Sequence, residues 1–399
     1  MSAALARAAI QTKTPSIARA VAEMPPSGIR EFFDLVLTMD GVLSLGVGEP
    51  DFVTPWRVRE AGIYSIERGH TAYTSNLGLL ALRREIAAYL ERRFDVAYNP
   101  DDEILVTVGV SQGVDLAMRA MLDPGDEVLV IQPCYVSYTP MVELAFGKAV
   151  IVESYAKDKF ALDFSRLERA VTKRTKLLMI NYPSNPTGVT YKRDELQRLA
   201  HFCIRHNLVA ISDEVYGELT YEGAHVALAS FPGMWERTIL LSGFSKAFAM
   251  TGWRMGYAAG PREYIGAMMK IHQYSMLSAP TVSQEAAIEA MKNGQDDVRQ
   301  MVEAYHERRN VFVRGLNEAG LPCHLPGGAF YAFPSIVGTG LEDREFCRRL
   351  LEEECVAVVP GGAFGECGRG HVRCSYASSV EKLEQAVERI ARFVSRLKK

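Results

Sequence analysis

The stretch SGFSKAFAMTGWRMGY, from Ser242 to Tyr257, sets a single lysine among hydroxyls, glycines and phenylalanines. The lysine is Lys246, and Phe244 and Phe248 stand on either side of it. Aromatic rings that exclude water lower the pKa of a lysine amine, and an uncharged amine attacks carbonyl groups to form a Schiff base. A lysine after a strand is otherwise usually a solvated surface residue, so its neighbours decide its interpretation.

A phosphate-binding group follows the lysine along the chain. Arg254 lies near the same face as Lys246 if the segment between them is helical, and Ser245 adds a hydroxyl. An amine beside a phosphate site points to pyridoxal 5'-phosphate (PLP). PLP requires an acid that keeps its pyridine nitrogen protonated, because only the pyridinium accepts the electrons left when a substrate Cα loses its proton. Asp213 is the candidate acid, although an aspartate after a strand is also a common helix N-cap.

The chain alternates helical and strand patterns from about Gly78 to Gly260. The apolar runs there are continuous, which is typical of strands buried on both faces of a mostly parallel sheet. After Pro261 the pattern turns helical and then predicts a compact α+β unit, to which the early strand VLSLGVG returns. The predicted units are an N-terminal arm (1–30), a small α+β domain (31–60 and 296–399) and a large PLP-binding domain (61–295).

The candidate residues follow the ends of apolar runs. NYPSNPTG follows KLLMI, SDEVY follows LVAI, and SGFSK follows TILL. Ligands bind at the carboxyl ends of strands in open α/β sheets, so one crevice is expected to gather these segments. Tyr216 of SDEVY and Asn185 of NPTG are suited to hydrogen-bond the 3'-oxygen of the PLP ring. Asn185 followed by proline is also a plain turn signal.

Composition excludes several function classes. The 399 residues are 48% hydrophobic with a formal net charge of -3, and no basic stretch with interleaved aromatics indicates nucleic acid as a partner. The sequence contains no run of about 18 apolar residues, the length that would predict a membrane span. The seven cysteines are scattered without metal-ligand spacing, which favours a reducing compartment, the cytoplasm, and no metal. The first twenty residues faintly resemble a transit peptide, but an ordinary arm is preferred.

From about Ser27 to its end the chain resembles a class I, fold-type I PLP-dependent aminotransferase of the aspartate aminotransferase superfamily. GFSKAFAMTGWRMG, YPSNPTG, SDEVY and HVRCSYA occur in this order and carry the resemblance. The resemblance implies a three-layer α/β/α PLP-transferase fold with a mostly parallel central sheet and a smaller α+β domain. It also implies Schiff-base formation and proton transfer by Lys246, a pyridinium contact by Asp213, 3'-oxygen contacts by Asn185 and Tyr216, and a phosphate contact by Arg254.

Further site residues are implied by shorter motifs. The first turn of the helix in VTVGVSQGVDLAM would hold the phosphate through Val110, Ser111 and Gln112, although an ordinary βα turn reads the same way. Tyr135 is implied to stack on the PLP ring, although it could also be a core residue, and Tyr73 is implied to reach the phosphate of the neighbouring subunit in a homodimer. Arg373 is implied to bind the substrate α-carboxylate, although a lone arginine on a strand is more often a surface residue. Gly46 is implied to assist Arg373 through its backbone.

Two departures from the family pattern bear on substrate choice and phosphate binding. Ser111 stands where some aspartate-specific relatives carry a lysine for the distal carboxylate, and YSMLSAPTVSQ lacks a recognisable arginine motif from the partner. Gly243 replaces the family's serine three residues before the lysine, so Ser242 or Ser245 is expected on the phosphate. The chain looks most like the branch acting on aromatic and neutral amino acids.

The predicted activity is ping-pong transfer of an amino group from an aromatic or neutral L-amino acid to a 2-oxo acid such as 2-oxoglutarate. A PLP-dependent β-lyase, a racemase or an aspartate-type aminotransferase would use the same lysine and the same electron sink. A PLP-binding regulator of transcription would need a DNA-binding segment, and none of helix-turn-helix size is seen before Ser27.

Overall fold

The computed structural model describes residues 16–24 and 41–397. Most of the predicted N-terminal arm therefore lies outside the described residues, as does the segment SGIREFF (27–33), which the sequence predicts to bring apolar surface near the site. The helices are α1 (Arg19–Ala22), α2 (Trp56–Glu67), α3 (Leu80–Phe94), α4 (Gly109–Met121), α5 (Tyr138–Leu144), α6 (Phe164–Ala170), α7 (Arg193–Arg205), α8 (Arg262–Ser275), α9 (Thr281–Asn293), α10 (Gln295–Glu318), α11 (Asp343–Glu354) and α12 (Val380–Leu397). The strands are β1 (Leu43–Ser44), β2 (Ile104–Val108), β3 (Glu127–Gln132), β4 (Lys148–Glu153), β5 (Thr175–Asn181), β6 (Val209–Asp213), β7 (Thr238–Gly243), β8 (Met255–Ala259), β9 (Tyr331–Ala332), β10 (Val356–Ala357), β11 (Val359–Pro360) and β12 (Val372–Ser375).

A seven-stranded sheet in the order β2-β8-β7-β6-β5-β3-β4 forms the centre of the described chain. The pairs from β7 to β4 are all parallel, whereas β8 is antiparallel to both of its neighbours. The predicted mostly parallel sheet is therefore confirmed. Its strands are continuous apolar runs because helices cover both faces of the sheet.

The two faces of the sheet pack against different helices. Val128 and Val130 of β3 join a core with α4, α5 and α8, while the alternating residues Leu129 and Ile131 join a core with α6 and α7. Successive side chains of a strand point to opposite faces, so one apolar run contributes to both layers. This arrangement gives the three layers α/β/α.

The connection between β7 and β8 consists of turns rather than a helix. The expectation that the segment between Lys246 and Arg254 could be helical is therefore wrong. Arg254 itself has a positive φ of 53°. A short connection without a crossover helix can only join antiparallel strands, which explains the reversed direction of β8. Gly243 pairs with Gly256 here, and a Cβ on Gly243 would lie 2.8 Å from the Gly256 Cα.

The smaller sheets join the beginning of the described chain to its end. β1 pairs in parallel with β10, and β11, β12 and β9 form a three-stranded antiparallel sheet. The loop after β1 therefore runs beside the C-terminal strands, where Arg373 lies on β12. The division into domains at the boundaries given above stays a prediction. Within the described residues, no helix combines the length and the apolar character needed to cross a membrane.

Candidate active site

Three neighbouring strands end at one edge of the sheet and bring the predicted residues together. Asp213 is the last residue of β6, and the segment that carries Lys246 begins directly after β7. Asn185 follows the end of β5 by four residues. Because β5, β6 and β7 are adjacent and parallel, their carboxyl ends share the edge where open α/β sheets bind ligands.

Lys246 is a half-buried amine in an aromatic surround. Its Nζ donates to the Gly48 carbonyl oxygen at 2.5 Å and lies 5.8 Å and 5.6 Å from the ring centres of Tyr216 and Phe330. Burial lowers the pKa of Lys246 to about 8, and the positive charge of Arg373 acts in the same direction. A larger neutral fraction makes this amine a better nucleophile at neutral pH than an ordinary lysine.

Asp213 is a buried carboxylate held by two hydrogen bonds. The Tyr138 hydroxyl donates to Oδ2 at 2.7 Å, and the backbone N–H of Val215 donates to Oδ1 at 3.2 Å. Burial raises the pKa of Asp213 to about 6, while both donors oppose this rise. A cation placed against this carboxylate would restore the charged form, which is the role expected for a pyridinium.

The Arg373 guanidinium is buried and joins two distant segments. Its Nη1 donates to Asn185 Oδ1 at 2.9 Å and its Nη2 to the Gly46 carbonyl oxygen at 2.6 Å. The rings of Tyr331 and Phe364 lie 4.6 Å and 4.9 Å from its central carbon. Nε has no hydrogen-bond partner, and among the described residues no carboxylate pairs with this cation. A buried and unpaired guanidinium is costly, so it indicates an anionic ligand.

The first turn of α4 and Arg254 lie together where the phosphate is predicted to bind. The helix begins at Gly109, with Val110 and Ser111 next, and its first-turn N–H groups are free to bind an anion. A Cβ on Gly109 would lie 2.8 Å from the Arg254 Nη2, so the guanidinium lies directly against this turn. The Gln112 side chain is engaged locally instead, because its Oε1 accepts from the Val108 N–H at 2.7 Å.

The serines near the lysine have different surroundings. The Ser242 hydroxyl donates to the Glu214 carbonyl oxygen at 3.4 Å, whereas Ser245 is buried directly before Lys246. At Gly243 a serine side chain has no room, since its Cβ would also approach the Met255 carbonyl oxygen to 2.9 Å. The geometry accounts for the departure from the family pattern and favours Ser245 as the hydroxyl near the phosphate site.

Two predicted residues have weaker connections to this cluster. Tyr135 is partly buried and packs edge-on against Tyr138, with ring centres 5.6 Å apart. Tyr73 is 83% exposed on the loop between α2 and α3, and it is not part of the buried cluster of its own chain. Its exposure leaves it available to a partner.

Sequence analysis did not identify three aromatic residues of the site. Tyr138 binds Asp213, Phe330 lies near Lys246, and Tyr331 shares a hydrogen bond of 2.8 Å with the Tyr216 hydroxyl. The motif QPCYVSY contains Tyr138 as its second tyrosine, and GAFYAF contains the other two residues. Their contacts join segments far apart in the chain, so no local pattern could reveal them.

We expect Lys246 in the apoprotein to react with an aldehyde at a rate that rises with pH and reaches half its maximum at about pH 8, because only the neutral amine attacks. Borohydride reduction followed by peptide mapping measures the labelling at each pH. Lys246→Arg keeps the positive charge and serves as the unreactive control. A midpoint near 10, the range of an ordinary lysine, would contradict the lowered pKa.

We also expect ionisation of Asp213 to destabilise the apoprotein. Because the pKa of Asp213 is raised from 3.8 to about 6, the folded state binds its proton more tightly than the unfolded chain. The stabilisation is present at low pH and is lost as the pH rises through about 6, by about 3 kcal/mol in total. The free energy of unfolding of wild type minus that of Asp213→Asn should decrease accordingly. Asp115→Asn is the control, since Asp115 lies in an exposed ion pair. If the free energy of unfolding changes with pH in the same way for both variants, the pH dependence does not come from Asp213.

Comparison with known proteins identifies the family. The model of the family "Aminotransferase class I and II" matches residues 40–390. A putative aminotransferase of Bacillus subtilis, YugH, is 54% identical over 94% of this chain and 97% of its own length. An aspartate aminotransferase of Pyrococcus abyssi is 45% identical over 92% and 95% of the two chains. The crystal structure of an aromatic aminotransferase from Pyrococcus horikoshii OT3 superposes with a TM-score of 0.88 at 43% identity, covering 93% of this chain and 99% of that one.

These matches extend over nearly the whole described chain and confirm the predicted family, fold and cofactor. The names of the relatives include both aspartate and aromatic aminotransferases, so they leave the substrate open. The chain belongs to the class I and II aminotransferases and is a PLP-dependent transaminase of fold type I.

Proposed function

We propose that this enzyme transfers the amino group of an L-amino acid with an aromatic or neutral side chain to a 2-oxo acid such as 2-oxoglutarate, in a ping-pong reaction at one site. The buried and unpaired Arg373 guanidinium carries the proposal, because it offers a bidentate grip for the α-carboxylate that all these substrates share. Its charge also acts on the neighbouring Lys246, whose pKa it helps to lower.

The donor set fits PLP at each of its polar groups. The first turn of α4, Arg254 and Ser245 are proposed to hold the phosphate, and the absence of a side chain at Gly109 leaves the arginine against that turn. Asp213 offers a buried anion for the pyridine nitrogen. Tyr135 is proposed to stack on the ring. When bound, PLP supplies the electron sink that takes up the electron pair released as the substrate Cα loses its proton.

Three residues of the chain are proposed to transfer the proton and to bind the 3'-oxygen of PLP. Lys246 is proposed to take the proton from the substrate Cα and to return it, because its lowered pKa leaves a useful neutral fraction near pH 7. Asn185 Oδ1 accepts from Arg373, so its Nδ2 remains a donor for the 3'-oxygen of PLP. Tyr216, hydrogen-bonded to Tyr331, is the second donor proposed for that oxygen.

The preference for aromatic or neutral side chains rests on the charges of the site. Ser111 provides no cation at the start of α4, and Lys246 experiences the positive charge of Arg254 and Arg373, which have other roles in this proposal. A pocket with aromatic walls gains from burying an apolar side chain, by roughly 1.5 to 3 kcal/mol for a group the size of Phe or Leu. Aspartate is the second candidate donor, since a relative carries that name.

A homodimer with shared sites is also proposed. Trp56 at the start of α2 is 58% exposed, and three further large side chains of the same helix are exposed: Ile63, Tyr64 and Ile66. Tyr274 of α8 is 88% exposed. Exposed apolar surface of this kind favours burial against a second copy, and Tyr73 would then reach the phosphate site of the partner. Cytoplasmic localisation is proposed because all seven cysteines are free thiols.

The substrate proposal predicts a higher kcat/KM for phenylalanine or tyrosine than for aspartate, with 2-oxoglutarate as acceptor. Steady-state kinetics with a panel of donors measures it, and Lys246→Ala provides the blank. A preference for aspartate of tenfold or more, about 1.4 kcal/mol, would show that another cation reaches the pocket and would favour an aspartate aminotransferase. Release of pyruvate and ammonia from a β-chlorinated alanine in place of transamination would favour a β-lyase.

Arg373→Ala should reduce kcat/KM for every amino acid and 2-oxo acid. The loss of a buried charge-assisted grip is expected to cost about 2 to 5 kcal/mol in the transition state, or roughly 30-fold to several thousandfold. Arg373→Lys keeps the positive charge but lacks the two-pronged guanidinium, so its kcat/KM should lie between those of the wild type and Arg373→Ala. Arg369→Ala, an exposed arginine paired with Glu366, is the control. A loss confined to one class of side chain would contradict a grip on the α-carboxylate.

A further inference from the structure

The loop that carries Tyr73 is held firmly although Tyr73 itself is 83% exposed. We call residues 72–79, between α2 and α3, the 72–79 loop. Thr281 Oγ1, at the start of α9, donates to the Ala72 carbonyl oxygen at 2.8 Å. Asn76 Nδ2 donates to the Leu277 carbonyl oxygen at 2.8 Å. Both bonds fasten the loop to the segment that includes α9.

Gln284 of α9 is the centre of this attachment. Its side chain is fully buried, and its Nε2 donates to Thr74 Oγ1 at 3.1 Å and to the Ala279 carbonyl oxygen at 2.8 Å. Its Oε1 accepts from the Leu79 N–H at 2.7 Å. Both amide hydrogens and one oxygen lone pair are used, so the orientation of the amide group is fixed. Removing such a partner from a buried site leaves polar groups unpaired and costly.

The other side of the 72–79 loop presses against the central sheet. The Val106 N–H of β2 donates to the Leu77 carbonyl oxygen at 3.0 Å. Gly78 has a φ of 97°, and a Cβ there would lie 2.5 Å from Val106 Cγ2. The loop is therefore fixed between α9 and the strand that leads into α4. A surface tyrosine on so rigid a support loses little conformational freedom when it binds something outside its own chain.

We propose that Gln284 is a positioning residue for the PLP site of the partner subunit. By fixing the 72–79 loop, it holds Tyr73 in the place from which its hydroxyl reaches the partner's phosphate site. The inference rests on the proposed homodimer in which Tyr73 completes the neighbouring site. Gln284 itself lies in the interior of its own subunit, and its effect appears in the site of the other subunit.

Replacing Gln284 by methionine keeps the length of the side chain and removes its hydrogen bonds. We expect Gln284→Met to raise the dissociation constant for PLP about tenfold, close to the effect of Tyr73→Phe, and the double variant to be little weaker than either. Thr74→Val removes one partner of Gln284 from a half-buried position and should show a smaller effect of the same kind. Asn293→Ala, at the far end of α9, should leave PLP affinity unchanged.

Mixed dimers with two affinity tags test the direction of the effect. The readout is the amount of PLP fixed on Lys246 by borohydride at each PLP concentration. In the first dimer, one chain carries both Lys246→Ala and Gln284→Met and its partner is wild type. The one remaining lysine site then receives Tyr73 from the altered chain, and its affinity should fall. In the second dimer, the two substitutions lie on different chains, and the affinity should equal that of wild type.

The opposite pattern, with weak binding in the second dimer and wild-type binding in the first, would overturn the inference because Gln284 would act within its own subunit. Equal affinity in both dimers would overturn it as well. If Tyr73→Phe leaves PLP affinity unchanged, the shared site itself is wrong and the inference falls with it. If Tyr73→Phe weakens binding but Gln284→Met and Thr74→Val do not, the shared site stands and only the role of Gln284 is excluded.

Discussion

The close approach of three glycines sets the geometry on which the candidate site depends. A Cβ on Gly256 would lie 2.7 Å from the Val110 nitrogen, and a Cβ on Gly243 would lie 2.8 Å from the Gly256 Cα. At Gly109 a Cβ would meet the Arg254 guanidinium. These contacts bring β7, β8 and the start of α4 together without intervening side chains, so that the lysine segment, the arginine and the helix terminus lie side by side where the phosphate is predicted to bind.

The charges of the site complement one another. Burial lowers the pKa of Lys246 and raises the pKa of Asp213, so both groups move towards the neutral pH range where proton transfer is most effective. The Arg373 guanidinium has no carboxylate partner in the described part of the chain, and its Nε has no hydrogen-bond partner. A nitrogen cation against Asp213 and a carboxylate against Arg373 would satisfy both groups, which is the chemistry expected of PLP and an amino acid together.

Sequence analysis predicted the strands β2 to β7 and named the candidate residues that the structure brings together at the edge of the sheet, because both depend on local signals. Continuous apolar runs marked β2 to β7, and the polar residues after β5, β6 and β7 marked the edge of the sheet. It did not predict β8, because MGYAA is short and contains glycine. Its pairing with β2 and β7 is seen only in the structure. Tyr138 and Tyr331 were missed for the same reason: their hydroxyl groups meet residues 75 and 115 positions away.

The bond between Arg373 and the Gly46 carbonyl oxygen spans 327 positions and has a consequence for synthesis of the chain. The residues proposed to hold PLP, apart from the partner's Tyr73, lie between Val110 and Arg254, so a ribosome completes them well before it reaches Arg373. The parallel pairing of β1 with β10 is likewise impossible until Val356 has been translated. The order of translation therefore allows a nascent chain to form the pocket proposed for its cofactor before it acquires the arginine proposed to bind the substrate α-carboxylate.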